Sequence, residues 1–252
     1  MVSRQDMVVS EVGRRPVFGH PSCRPGAERD LRAAGVGADN HGMTALTHSF
    51  AAFAACYSLG AVAVAILLVV ALHKLEPEFD PSWRMLGEYS LGSYGVLMRI
   101  AFILGGTGVA ASGLALWPAA GVLAAWLPVV ALGPIGAAFV DTDPITTPRP
   151  QITGRGKVHA GLGSLFILGF PVAATLAGIG AAMHSPAGQI LAWAAAIPWA
   201  GLIWFLGATF RFGQPDAVGK PEVLIGWPNR FSMLAYMAWV ALAGSLTLIQ
   251  AL

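Results

Sequence analysis

This sequence predicts an all-α fold: a polytopic bundle of six transmembrane helices with a polar cap of three loops on one face. Three observations predict it. First, 56% of the 252 residues are hydrophobic and only 11% are charged, against about 25% charged in ordinary soluble domains. Second, the charged residues are clustered. Of the 28, 11 precede Phe50, and all but one of the rest fall at Lys74 to Glu88, Asp141 to Lys157 and Arg211 to Arg230. Third, the intervening apolar runs are long enough to cross a hydrocarbon core of about 30 Å, which takes about 20 helical residues. A soluble globular protein, a disordered chain and a nucleic-acid binder are thereby excluded. The net charge of +2 is too small for polyanion binding.

The six spans are Ser49–Leu72, Ser93–Leu116, Ala119–Val140, Val158–Ala181, Gly188–Thr209 and Asn229–Gln250. With six spans the connections alternate between faces, and all three charged loops fall on one. The opposite connections, around Trp117–Pro118 and Met183–Gly188, carry no Asp, Glu, Lys or Arg. Trp83, Trp117, Trp193 and Trp227 sit at or near span ends, where amphipathic rings favour the headgroup zone. No stretch alternates like a membrane β-strand.

Residues 1–48 form a polar, Arg-containing opening tail without hydrophobic periodicity. Counting Lys and Arg near span ends places the charged loops in the cytoplasm. The tail would then lie outside, although it carries six Arg residues and lacks the apolar region of a signal peptide. Two resolutions follow: translation starts at Met43, or the tail stays inside and the loops face out. The tail also reads as a partner-binding extension. Cys23 and Cys56 are too few for a disulfide framework.

Lipid gives helices no hydrophobic reason to associate, so stripes of small residues mark contact faces. Such stripes are Ala52, Cys56 and Gly60 in the first span, Gly106, Ala110 and Gly113 in the second, and Gly161, Leu165, Gly169 and Ala173 in the fourth. Pro128, Pro134, Pro171 and Pro198 lie inside spans; each removes a helical hydrogen bond and kinks its helix. No Asp or Glu falls within a span, which argues against ion-coupled transport. Arg99 is the one charge within a span, and it is expected to snorkel to the charged face or to pair with Glu88.

Chemistry, if any, belongs to the polar cap. Asp141 and Asp143 are two apart and His159 opens the next helix, a set able to bind a divalent cation or to act as acid and base. Arg149, Arg155 and Lys157, with Arg99, are candidates for holding a phosphate or lipid headgroup. The alternative is structural: the two aspartates order the turn and pair with the basic residues around them. Histidines raise haem. His48 and His73 flank the first span and His159 and His184 the fourth, each pair 25 residues apart. That spacing spans about 37 Å, which leaves all four at the interfaces and disfavours a haem within the bundle.

Three segments carry a family resemblance: Asp80-Pro81-Ser-Trp83 to Gly92, Phe139-Val-Asp141-Thr-Asp143-Pro144 to Gly156-Lys157-Val-His159, and Gly226-Trp-Pro-Asn-Arg230. The chain from Ser49 to Leu252 resembles the bacterial membrane family catalogued as domain of unknown function 998. The resemblance implies an integral protein of six to seven helices in the bacterial cytoplasmic membrane, with no established activity. It adds weight to Asp143 and His159 without giving either a role. The leading expectation is a non-enzymatic membrane protein that packs against lipids or other membrane subunits. One alternative is an enzyme or lipid-headgroup handler using Asp141, Asp143 and His159; another is an accessory subunit of an energy-transducing complex.

Overall fold

The structure, a computed structural model, describes residues 36–211 and 219–251. The opening tail up to residue 35 lies outside them, and from Val36 the chain is helical. Contacts divide the chain into a segment ending at Thr44 and a body, Ala45–Leu252, and the membrane bundle is the body. The helices among the described residues are α1 (Val36–Leu75), α2 (Gly95–Ala120), α3 (Trp126–Ala137), α4 (Gly154–Ala182), α5 (Pro186–Ala194), α6 (Ala196–Phe210) and α7 (Gly226–Ala251). No strand occurs among the described residues.

Five continuous stretches are long and apolar enough to cross a membrane: Ala45–Leu75, Gly95–Ala137, Gly154–Ala182, Pro186–Phe210 and Gly226–Ala251. The second folds back on itself. Gly121 takes φ 55° and ψ −138°, a conformation that L side chains resist, and a 3₁₀ stretch, Gly121–Ala125, leads into α3. A Cβ on Gly106 would lie 3.1 Å from the Ala131 carbonyl and one on Gly113 2.9 Å from that of Ala124. The pairing runs in opposite directions along the two limbs, so α2 and α3 are an antiparallel hairpin packed backbone to backbone. The returning limb, five 3₁₀ residues and twelve α-helical ones, covers about 28 Å. The chain is therefore a six-limbed transmembrane bundle.

Lipid-facing positions are apolar: Leu67, Leu132 and Ile203 are more than half exposed. Seams differ in part from the small-residue stripes. Gly106 and Gly113 meet α3, and Gly169 meets Val130. But Cys56 is exposed, while Gly60 and Gly161 have open space where a Cβ would stand. The buried side of α1 is one position over, through Ala51, Ala55, Ser58 and Val62, and the Ser58 hydroxyl donates to the Gly108 carbonyl at 2.7 Å.

The centre is aromatic. Phe170 on α4 stacks on Tyr236 of α7 with centroids 4.7 Å apart, and meets Trp239 edge-on. Pro171 has no N–H to give the Ile167 carbonyl four residues earlier, and the Tyr236 hydroxyl donates to that carbonyl at 2.7 Å. At the break between α5 and α6 the Ala195 N–H bonds Ala192 rather than Leu191. The Trp239 indole N–H donates to the Leu191 carbonyl at 3.1 Å. Two side chains of α7 thus complete two interrupted helices.

The three charged loops meet at one end. The Gly226 N–H donates to the Ser82 carbonyl at 3.0 Å, the Leu86 N–H to Asn229 Oδ1 at 3.0 Å, and the Ile145 N–H to Glu88 Oε1 at 2.9 Å.

Candidate functional site: a cavity beneath the polar cap

Asp141 follows α3 and lies between two cations. Arg99 donates to Oδ1, and Arg155 stands 3.0 Å from Oδ2. The second Arg99 amino group donates to the Ala138 carbonyl at 3.2 Å. The Arg99 hydrogen bond holds the Asp141 carboxyl below the usual carboxylate range, against an opposing push from partial burial. The expected pairing of Arg99 with Glu88 is replaced by this one. Arg99 reaches the loop after α3, its packed neighbour, whereas Glu88 is held by Arg84 at 2.9 Å.

Asp143 serves the start of α4. It accepts the Thr153 N–H at 2.8 Å and the Thr153 hydroxyl at 3.1 Å, while Thr153 Oγ1 accepts the Gly156 N–H at 3.0 Å as the helix N-cap. A Cβ on Gly156 would clash with Asp143, so the glycine admits the carboxylate. His159 is buried, and its Nδ1 lies 2.7 Å from the Val140 carbonyl. A carbonyl can only accept, so Nδ1 carries the proton. Arg149 and Lys157 are exposed. Each of Asp141, Asp143 and His159 has partners of its own. Among the described residues no three His, Cys, Asp or Glu side chains are grouped to hold a metal ion.

A second polar group joins the ends of α1 and α7 to the first loop. Arg230 is 9% exposed. Its Nε–H donates to His73 Nε2 at 2.7 Å, and Nη1 donates to the carbonyls of Arg84 at 2.7 Å and Gly226 at 3.2 Å. Nη2 donates to the Tyr89 hydroxyl at 3.2 Å. His73 Nδ1 lies 2.7 Å from the Val69 carbonyl; it is the protonated nitrogen, and Nε2 is the lone-pair side that receives Arg230. Glu88 is buried and, besides Arg84, accepts the N–H groups of Met85 and Ile145, each at 2.9 Å. Sequence reasoning assigned no role to Arg230, considered His73 only as a haem ligand, and considered Glu88 only as a partner of Arg99. The available signal was the placement of Glu88 and Arg230 in two of the three family-like segments.

Both groups border one cavity of about 630 Å³. Its walls come from α1, α2, α3, α4, α6 and α7, and are chiefly apolar, with Ile66, Met98, Phe102, Phe166 and Met233 among them. Polar lining gathers at the cap end: His73, Glu88, Asn229, Arg230, Asp143 and His159. Several lining residues of the spans, Val70, Leu168, Trp227 and Leu234, are also half exposed. The cavity therefore opens sideways to the surface that faces lipid.

His73 and His159 share this cavity, and His48 and His184 line a smaller hollow of about 330 Å³ in the bundle. Both ring nitrogens of His73 are engaged, so it could ligate haem iron only by giving up Arg230.

Residues 58–246 match the family described as "Protein of unknown function (DUF998)". The chain belongs to this family. No curated protein and no solved structure matches it. In this DUF998 chain the match spans the whole cavity lining, from Ala65 to Met237, and all three cap loops. Family and apolar limbs together make it a multi-pass integral membrane protein.

Proposed function

We propose that this protein is a non-enzymatic lipid-handling protein of the bacterial cytoplasmic membrane, which takes the chain of one membrane amphiphile into the cavity and keeps its headgroup at the cap. The single observation that carries the reading is the cavity, apolar along its length and polar at one end. Its volume of about 630 Å³ falls within the range of small-molecule sites, about 300–1,000 Å³. Its side opening toward the lipid-facing surface gives a membrane amphiphile a way in. Asp141, Asp143 and His159 support a structural part for the loop, because each is committed to protein partners.

The test is mass spectrometry of lipid retained by protein extracted in mild detergent. One amphiphile per chain is expected. Gly105 is buried, lines the cavity, and a Cβ there would meet only Ala65 at 3.9 Å. Gly105→Leu should therefore fill the space, retain the fold and lose the lipid. Wild-type protein free of lipid, or equal retention in the variant, would refute the proposal.

A further inference from the structure

We infer that the occupant is an anionic amphiphile, one chain bearing a carboxylate or phosphate, and that Arg230 supplies its counter-charge. This rests on the cavity holding an amphiphile, and adds the class of headgroup. The observation is a buried cation whose hydrogen-bond partners are all neutral. Around the Arg230 guanidinium stand an imidazole nitrogen, two backbone carbonyls and a phenol oxygen, with the Tyr89 ring 5.6 Å from its centre. His73 contributes no positive or negative charge, since its Nδ1–H is given to Val69 and its Nε2 accepts.

The carboxylates that border the same cavity are committed elsewhere. Glu88 is held by Arg84 and by two backbone N–H groups, and Asp143 by Thr153. Among the described residues no carboxylate forms an ion pair with Arg230. Glu88 and Asp80 attract Arg230 only from beyond ion-pair distance, and that attraction, with the carbonyls and phenol, offsets only part of the cost of burying its charge. Five N–H groups are available on a guanidinium, and four are used. One Nη2–H remains for a charge-assisted bond to an anionic oxygen, and Arg230 stands in the cavity wall at its polar end. His159, in the same wall, keeps Nε2 without a partner among the described residues. An anionic headgroup entering beside Arg230 would neutralise the charge where water is scarce, with its chain along the apolar wall.

The experiment measures binding of four probes to the full chain in nonionic detergent by native mass spectrometry. Oleate and 1-oleoyl lysophosphatidic acid are the anionic probes, 1-oleoyl lysophosphatidylcholine the zwitterionic one and monoolein the neutral one. Inorganic phosphate and acetate serve as chainless competitors. Anionic probes should bind at least tenfold more tightly than monoolein. Arg230→Gln should reduce them to the monoolein level without changing monoolein, and the chainless anions should not compete at equal concentration. Equal affinity of anionic and neutral probes for the wild type overturns the inference, a result that needs no variant to fold. So does an Arg230→Gln protein that keeps the preference. Competition by phosphate or acetate alone would make the free anion the ligand and overturn the amphiphile. Failure of all four probes to bind would overturn the cavity reading itself, a different outcome from binding without charge preference.

Discussion

Tyr236→Phe isolates one hydrogen bond at the centre of the bundle. The Tyr236 ring is fully buried and stacked on Phe170 at 4.7 Å, and phenylalanine keeps that packing. What disappears is the donor to the Ile167 carbonyl at 2.7 Å. Pro171 gives that carbonyl no helical N–H. Leaving a buried acceptor unsatisfied costs about 1–3 kcal/mol in soluble proteins, whereas hydrogen bonds within membranes average about 0.6 kcal/mol and reach about 1.7. The expected loss is therefore about 1–2 kcal/mol, toward the upper membrane value because the proline removes the usual alternative. For a chain of this size it corresponds to a Tm lower by about 2–8 °C, read by thermal unfolding in detergent. The decisive comparison is a double-mutant cycle. Pro171→Ala restores a backbone N–H four residues after Ile167, and in that background Tyr236→Phe should lose less than half as much. Equal losses in both backgrounds would refute the reasoning, because the tyrosine would then not be standing in for the missing helical bond.

Two further outcomes concern the cap. The Asp141 carboxyl is held below its ordinary range by Arg99, so its contribution is present above the unfolded pKa of about 3.9 and is lost as pH falls through the lowered folded value. Its partly exposed pairs limit that contribution to about 1 kcal/mol or less. Asp141→Asn should melt below wild type at pH 7, and the gap should close as pH drops below about 4; a gap that stays constant with pH would count against the ion pairs. Thr153→Ala removes the N-cap of α4 and a partner of Asp143, and should cost about 1 kcal/mol, with Thr153→Ser near wild type in the same thermal assay.

The spans were legible because a membrane imposes a length and a hydropathy that the chain itself displays, and charge clustering gave their connections. The hairpin turn was legible only as a chargeless connection. Nothing in the composition around Gly121 showed that it bends through a left-handed residue. Which side of a helix turns inward was less accessible. On α1 the small residues Ala52, Cys56 and Gly60 form as good a stripe as Ala51, Ala55 and Ser58; contacts from other helices, such as the Gly108 carbonyl reached by Ser58, separate them. The aspartates of the second loop were visible as a cluster, and their commitments to Arg99, Arg155 and Thr153 match the structural alternative drawn from sequence. The His73 and Arg230 pair was hidden because its members are 157 positions apart and meet only when α1 and α7 are adjacent. The cavity was hidden for the same reason, since a void is a property of six limbs together and of no segment alone.

Tyr236 and Trp239 have a consequence for how the protein is made. Both belong to the last limb, and each satisfies a carbonyl in a limb synthesised earlier, Ile167 in α4 and Leu191 in α5. Until α7 leaves the ribosome and inserts, those two carbonyls have no such donor, and hydrocarbon does not tolerate exposed backbone polar groups. A ribosome stalled before residue 226 would therefore leave a chain with all but one of its spans and with the helix breaks at Ile167 and Leu191 lacking the donors that α7 supplies.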